Sequence, residues 1–358
     1  MPGRLQSQAR AGWQAIMGGF HGDDPWRTLK LFWLAVLATA AVGAAILQWL
    51  GPPTRPGSGT ATGAPPTMAA EHAVAAPQRN AANIIADPDP DLLIGYEGAE
   101  PNALLPRVAA DGRTPMAVYA APFDRSITQP KVALIVAGIG LNEADSMAAI
   151  KQLPGPVTLA VSPYAGPIPS ILAAARQAGH EYLLSVPMRP DGFPINDPDD
   201  RHALMTSLSP PENLIRLHWV MARITGYIGL INIIGQMQAS RSVTDIEQIE
   251  PVLQDVASRG LLFVSGTSGP APIPHAKGRV ADMVVDEQPF DAATLDQRLA
   301  VLDTLAREKG SALGVIMLPY PVTLERVAAW AGGLAQKGVA LAPVSAIAVA
   351  PADGDAQR

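Results

Sequence analysis

From Val132 to Ser345 the chain alternates short apolar runs with longer amphipathic stretches. The runs are VALIVAGIG from Val132, VTLAV from Val157, YLLSV from Tyr182, YIGLI from Tyr227, LLFVS from Leu261, DMVVD from Asp282, ALGVIML from Ala312 and VALAPVS from Val339. Each has the length and the β-branched, apolar content of a strand. The stretches between them carry helix punctuation. Ser209-Pro-Pro-Glu212 and Thr244-Asp-Ile-Glu247 have capping-box form, and Gly179, Gly260, Gly310 and Gly338 sit where a helix would stop before the next strand. Eight strands alternating with helices predict a parallel α/β fold, either a barrel or a doubly wound sheet, with ligands at the carboxyl ends of the strands.

The N-terminal part reads differently. Leu31 to Leu50 (LFWLAVLATAAVGAAILQWL) is an uncharged apolar run. At 1.5 Å per residue it would span about 30 Å, the hydrocarbon thickness of a bilayer, so it predicts a transmembrane helix. A cleavable signal peptide would have a shorter apolar core followed by small residues, whereas this run ends in Gln48-Trp49-Leu50. Arg4, Arg10, Arg27 and Lys30 precede the run and only Arg55 follows closely, which predicts a cytoplasmic segment 1–30 and an exported C-terminal part. In a bacterium that means a single pass through the inner membrane and a periplasmic domain. Residues 51–102 are rich in Pro, Ala and Gly without periodicity and predict a flexible linker with an r.m.s. span of roughly 40 Å. The folded domain is expected over 103–350, its first piece marked by the Asp111-Gly112 turn and the run Met116 to Tyr119, and 351–358 is expected to be a disordered tail.

Composition narrows the function classes. The chain has 358 residues, 48% of them hydrophobic, enough for a sizeable core, and a net charge of −6 with no basic cluster to contact nucleic-acid phosphates. It has no Cys, which is compatible with an oxidising compartment.

At the expected strand ends, acids, bases and metal ligands are scarce. Ala137-Gly138-Ile139-Gly140 lacks the third glycine of a dinucleotide cradle and reads as a tight turn. Ser185 and Ser265 are not in a G-x-S-x-G elbow. His21 and His72 lie outside the domain, His180 falls at the wrong end of a strand and His218 mid-helix, leaving His202 and His275 in loops that could approach a site. Asp286-Glu287 is the one paired-acid cluster at a strand end, and its plainer reading is a solvated loop, as it is for the acidic run Asp197 to Asp200. Trp219, Met221 and Met237 read as core filler.

Leu153-Pro-Gly-Pro-Val-Thr-Leu-Ala160, Pro163-Tyr164, Ala178-Gly-His-Glu181 and Leu183-Leu-Ser-Val-Pro-Met-Arg-Pro190 occur in an order that resembles the divergent polysaccharide deacetylase family of bacterial envelope proteins, from about Leu104 to Val349. The resemblance implies a deformed (β/α) barrel related to metal-dependent carbohydrate esterases, in which a divalent metal such as zinc is held by Asp and two His, with an Asp base and a His acid. On this chain the family's paired Asp positions fall on Ala137 and Gly138. Its first His falls on Ser185, its Asn-His pair on Asn232 and Ile233, its strand-five Asp on Ser265 and its last His on Leu318. None of these substitutes is a good metal ligand, so no catalytic residue, metal or other cofactor is expected.

The cleft is then expected to be lined by Asn142, Ser185, Arg189, Asn232, Gln236, Ser265, Thr267 and Tyr320, neutral hydrogen-bonding groups with one cation, suited to peptidoglycan or another envelope glycan or to docking cell-wall remodelling proteins. The alternative is an active carbohydrate deacetylase whose site is rebuilt from Asp282, Asp286, Glu287, His202 or His275.

Overall fold

The computed structural model describes residues 33–34, 36, 38–39, 85–97, 102–166, 168–188, 201–205, 207–232, 246–266, 273–288 and 291–351. The chain divides into two units, Met1–His72 and Ala73–Arg358. In the first, Trp33, Leu34, Val36, Ala38 and Thr39 are helical, and the rest of the expected membrane span lies outside the described residues. Among the described residues no helix is long and apolar enough to cross a membrane.

The second unit opens with a hairpin, β1 (Leu93–Tyr96) against β2 (Ala103–Pro106), and the short helix α1 (Pro115–Tyr119). The eight expected strands then follow as β3 (Lys131–Ile139), β4 (Thr158–Val161), β5 (Tyr182–Val186), β6 (Gly229–Asn232), β7 (Leu262–Ser265), β9 (Met283–Val284), β10 (Ser311–Ile316) and β11 (Ala340–Leu341), and the short β8 (Gly278–Val280), which no apolar run announces, precedes β9. Between them run α2 (Glu143–Gln152), α3 (Pro169–Ala178), α4 (Pro210–Met221), α5 (Ile246–Ser258), α6 (Ala292–Lys309) and α7 (Pro321–Gly333), with α8 (Val344–Ile347) at the end. Ser209 and Glu212 form the expected capping box, and Gly179, Gly310 and Gly338 end helices in the left-handed conformation, while Thr244 of the second expected box lies outside the described residues.

The strands pair in parallel in the order β8-β7-β6-β5-β4-β3-β10-β9, and β11 adds to β3. The sequence left a barrel and a doubly wound sheet open, and strand order decides between them. β8 and β9 are consecutive, yet they pair at opposite ends of the sheet, β8 with β7 and β9 with β10. The two residues between them continue the crossing: Ala281 N–H donates to Ser265 O and Asp282 N–H to Leu313 O, each at 2.8 Å. The sheet is therefore curled in barrel form, with one segment bridging its two edges.

Alternation along the strands separates two buried layers. Val132, Leu134, Leu159, Leu184, Leu230 and Phe263 pack outward with helix residues such as Ile150, Leu172, Leu217, Val256 and Val327. Ala133, Ile135, Leu183, Ile231, Val264 and Val315 form the inner layer with Leu92, Tyr119, Val344 and Ile347. Those last residues close the amino end of the barrel, so the carboxyl end is the mouth.

Composition places Pro90–Tyr96 in the linker, but the segment is ordered. Asp89 caps a 3-10 turn at Pro90–Leu92, Leu92 is fully buried, and β1 pairs with β2 along its whole length. A four-residue strand among Asp, Pro and Gly has too few apolar positions to announce itself.

Candidate functional site

The mouth is built by the last inward-facing residue of each strand. Ala137, Ala160, Ile231 and Val264 belong to the inner layer and Met317 packs against it. Ser185 follows Leu184 of the outer layer and so shares this inner side, where it is half-buried. The other polar groups on this inner side are Arg279, in register with Val264 and paired with Asp282, and one further carboxyl.

That carboxyl is Asp286. Val285 packs in the outer layer, so alternation carries Asp286 inward, just past the end of β9. It is 7% exposed. One oxygen accepts from Met317 N–H at 2.8 Å, and the other from Met317 N–H at 3.0 Å and Leu318 N–H at 3.2 Å. Burial pushes its pKa above the ordinary aspartate value, against the lowering effect of these amides. The solvated-loop reading of Asp286 is therefore corrected: its sequence neighbour Glu287 is exposed, and Asp286 is not.

At the end of β3 the pairing with β4 shifts register between Val136 and Ile139. Gly138 there has φ 75°, the left-handed region that glycine tolerates best. A Cβ at Gly138 would stand 2.8 Å from Leu318 Cδ2 and 3.3 Å from Met317 O. The backbone is shaped for a residue with no side chain, and the neighbouring Leu318 fills the space.

Several residues expected to line the cleft serve the framework. Asn142 caps α2, its Oδ1 accepting from Asp145 N–H at 3.1 Å. Asn232 and Ser265 are paired neighbours on β6 and β7, on the side of Leu230 and Phe263, and both are buried on the outer side of the sheet. Asn232 Oδ1 accepts from Gly266 N–H at 2.8 Å, leaving Nδ2 buried without a hydrogen-bond partner. Tyr320 precedes α7 as its N-cap residue and stands 37% exposed at the rim. Arg189, Ile233, Gln236 and Thr267 lie outside the described residues.

Other ionisable candidates are also engaged elsewhere. His202 stacks on Trp219, ring centroids 3.5 Å apart, with Arg223 5.1 Å from the same indole. Trp219 is thus a half-buried stacking platform as well as packing for the outer core. His275 Nε2 meets Glu250 Oε1 at 3.0 Å, and Asp282 pairs with Arg279 and Lys309. His180 is buried at the amino end, its Nδ1 2.8 Å from Val157 O, and His218 pairs with Asp255.

A divalent metal needs several convergent carboxylate or imidazole ligands. The inner rim brings Ala137, Ser185, Met317 and Leu318 to the positions concerned, with Asp286 the one carboxyl beside them. These residues do not fit the metal that the family resemblance implies, and no step through such a metal is derived. Among the described residues no three His, Cys, Asp or Glu side chains form a group that could hold one.

A family model for divergent polysaccharide deacetylases matches residues 134–348. Among solved structures, an uncharacterized protein of Agrobacterium tumefaciens C58 is 31% identical with a TM-score of 0.61, over 68% of this chain and 98% of that one. A putative cellobiose-phosphate cleavage protein of Enterococcus faecalis V583 is 13% identical with a TM-score of 0.43, over 62% of this chain and 100% of that one. A putative polysaccharide deacetylase of Mycobacterium smegmatis is 12% identical with a TM-score of 0.41, over 64% and 92%. A search of curated proteins finds no match. The family match runs over more than half of the chain, and the chain belongs to the divergent polysaccharide deacetylase family.

Proposed function

We propose that this protein is a membrane-anchored component of a bacterial envelope whose barrel binds glycan without hydrolysing it. The observation that carries this reading is the inner rim of the mouth. At the strand ends, where ligands are held in folds of this type, Ala137, Ala160, Ile231 and Val264 are buried methyl and methylene groups, and the half-buried Met317 and Ser185 are the inner-side groups that reach the surface. Apolar groups of this kind cannot activate water or stabilise an oxyanion, whereas Met317 can meet the apolar face of a sugar and the Ser185 hydroxyl can bond a sugar hydroxyl. The basic flank and apolar run of the N-terminal segment support the anchor and its orientation.

The test pairs two measurements on the purified chain: metal content after incubation with zinc, manganese, nickel and cobalt, and acetate release from N-acetylated oligosaccharides. The expected result is no stoichiometric metal and no acetate. One tightly held ion per chain together with acetate release would overturn the reading in favour of a relocated active site.

A further inference from the structure

Side chains from separate segments meet where the loop after β4 approaches α4. Tyr164 lies three residues past Val161, the last residue of β4, and its ring centroid is 6.2 Å from that of Trp219 at an interplanar angle of 44°. His202 stacks on Trp219, and Arg223, 5.1 Å from the same indole, donates from Nε to Pro163 O at 3.2 Å. His202 and Arg223 thus hold the indole, and the indole backs Tyr164. Tyr164 itself is 46% exposed.

The loop that carries Tyr164 is also fixed through its backbone. Tyr164 N–H donates to the Ser162 hydroxyl at 3.2 Å, Ala165 N–H to Ser162 O at 3.2 Å, and Ser162 N–H to Ile139 O at the end of β3 at 2.9 Å. Gly140, with φ 91°, lets the loop after β3 close on it, since a Cβ there would stand 2.5 Å from Ala165 Cβ. Leu141, next in the chain, is 58% exposed. Exposed apolar side chains scattered singly are ordinary on a protein surface. Here an exposed ring is held by its own turn and by a second ring, on a loop that touches the one carrying another exposed apolar residue. A group fixed in this way loses little freedom on binding.

The chemistry of this surface selects its occupant. A pyranose with equatorial substituents presents a flat face of C–H groups that lies on an aromatic ring, and hydroxyls at its edge that seek polar partners. Val161 pairs with Leu184, so the loop leaves β4 level with Ser185 at the end of β5, a half-buried hydroxyl on the neighbouring strand. We propose that Tyr164, backed by Trp219, is the stacking platform for a neutral pyranose ring of a glycan at the carboxyl end of the barrel. This rests on the glycan-binding reading above and names the side chain that holds a sugar ring.

The experiment is calorimetric titration of the full chain in detergent with an N-acetylglucosamine hexamer, comparing the wild type with Tyr164→Ala and Tyr164→Phe. Tyr164→Ala is expected to weaken binding about tenfold, and Tyr164→Phe, which keeps the ring, to bind within about twofold of the wild type. Melting curves of both variants check the fold, which an exposed side chain should leave unchanged. Binding that survives Tyr164→Ala, or that is lost equally in Tyr164→Phe, overturns the platform and leaves glycan binding standing. Failure of the wild type to bind the hexamer overturns both. A parallel titration with a peptidoglycan stem peptide separates the other class of ligand. Peptide binding that Tyr164→Ala abolishes, with hexamer binding unaffected by the same change, would assign the ring to a peptide and overturn the proposal.

Discussion

Glu181, immediately before β5, accepts hydrogen bonds from both the amide and the hydroxyl of Ser345, which lies 164 residues later in α8. The same carboxylate accepts from Ala121 N–H at 2.9 Å and from the Thr158 hydroxyl at 3.0 Å, and Thr158 in turn accepts from Val344 N–H. A fully buried acid thus joins the first and last pieces of the domain at the closed end of the barrel. Replacing it with Ala strands these donors and is expected to cost about 2–5 kcal/mol, read as a lowered urea midpoint.

Burial holds the pKa of Glu181 above the ordinary glutamate value, against the lowering effect of its four donors. Its folded form therefore binds a proton more tightly than its unfolded form. The stability this contributes is fully present below the unfolded value and is lost as pH rises through the folded one. The difference in unfolding free energy between wild type and Glu181→Gln should accordingly shift against the wild type on going from acid to neutral pH. A difference that is flat across that range would contradict the assignment.

Asp255 behaves in the opposite sense. Burial alone would raise its pKa, but His218 at 3.0 Å and Arg259 at 2.8 Å outweigh it and hold the carboxyl below its usual value. Its contribution is present above the unfolded value and lost as pH falls through the folded one. Arg259 also donates to Pro106 O, and His218 meets the Tyr96 ring edge-on, so the cluster ties the β1–β2 hairpin to α4 and α5. Arg259→Ala is expected to destabilise by about 1–3 kcal/mol and to expose the hairpin to limited proteolysis before the barrel.

Placing an acid at the end of β3 should not create a metal site. Gly138→Asp needs a side chain at φ 75° in space held by Leu318 and Met317 O. The expected outcome is a loss of about 1–3 kcal/mol with no gain of metal binding, checked by thermal unfolding and by metal analysis.

Gly229 is a second position where a methyl group cannot enter. A Cβ there would lie 2.2 Å from Leu262 O on the paired strand β7. Gly229→Ala should force the two strands apart and cost about 1–3 kcal/mol, visible as a lower melting temperature without loss of oligomeric homogeneity.

Much of this was legible in the chain. The eight apolar runs became strands in parallel register, because length and β-branched content are local properties that burial in a parallel sheet does not override. The same holds for Gly179, Gly310 and Gly338, whose helix-stopping role depends on one residue's backbone freedom. The hairpin strand β1 was not legible, since four residues in a Pro- and Asp-rich stretch gain their order from Leu105 and the barrel flank rather than from their own pattern.

The site divides along the same line. Sequence alone determined that Ala137, Gly138 and Leu318 bring no metal-binding side-chain atom and that Ser185 brings only a hydroxyl. Only the tertiary structure decided which remaining groups face the mouth. The pleat sends Asn232 and Ser265 outward beneath helices, α2 claims Asn142 as its cap, and β9 carries Asp286 inward beside Met317. Which side a residue takes depends on the register of a strand with neighbours far away in the chain, and one position's shift reverses it.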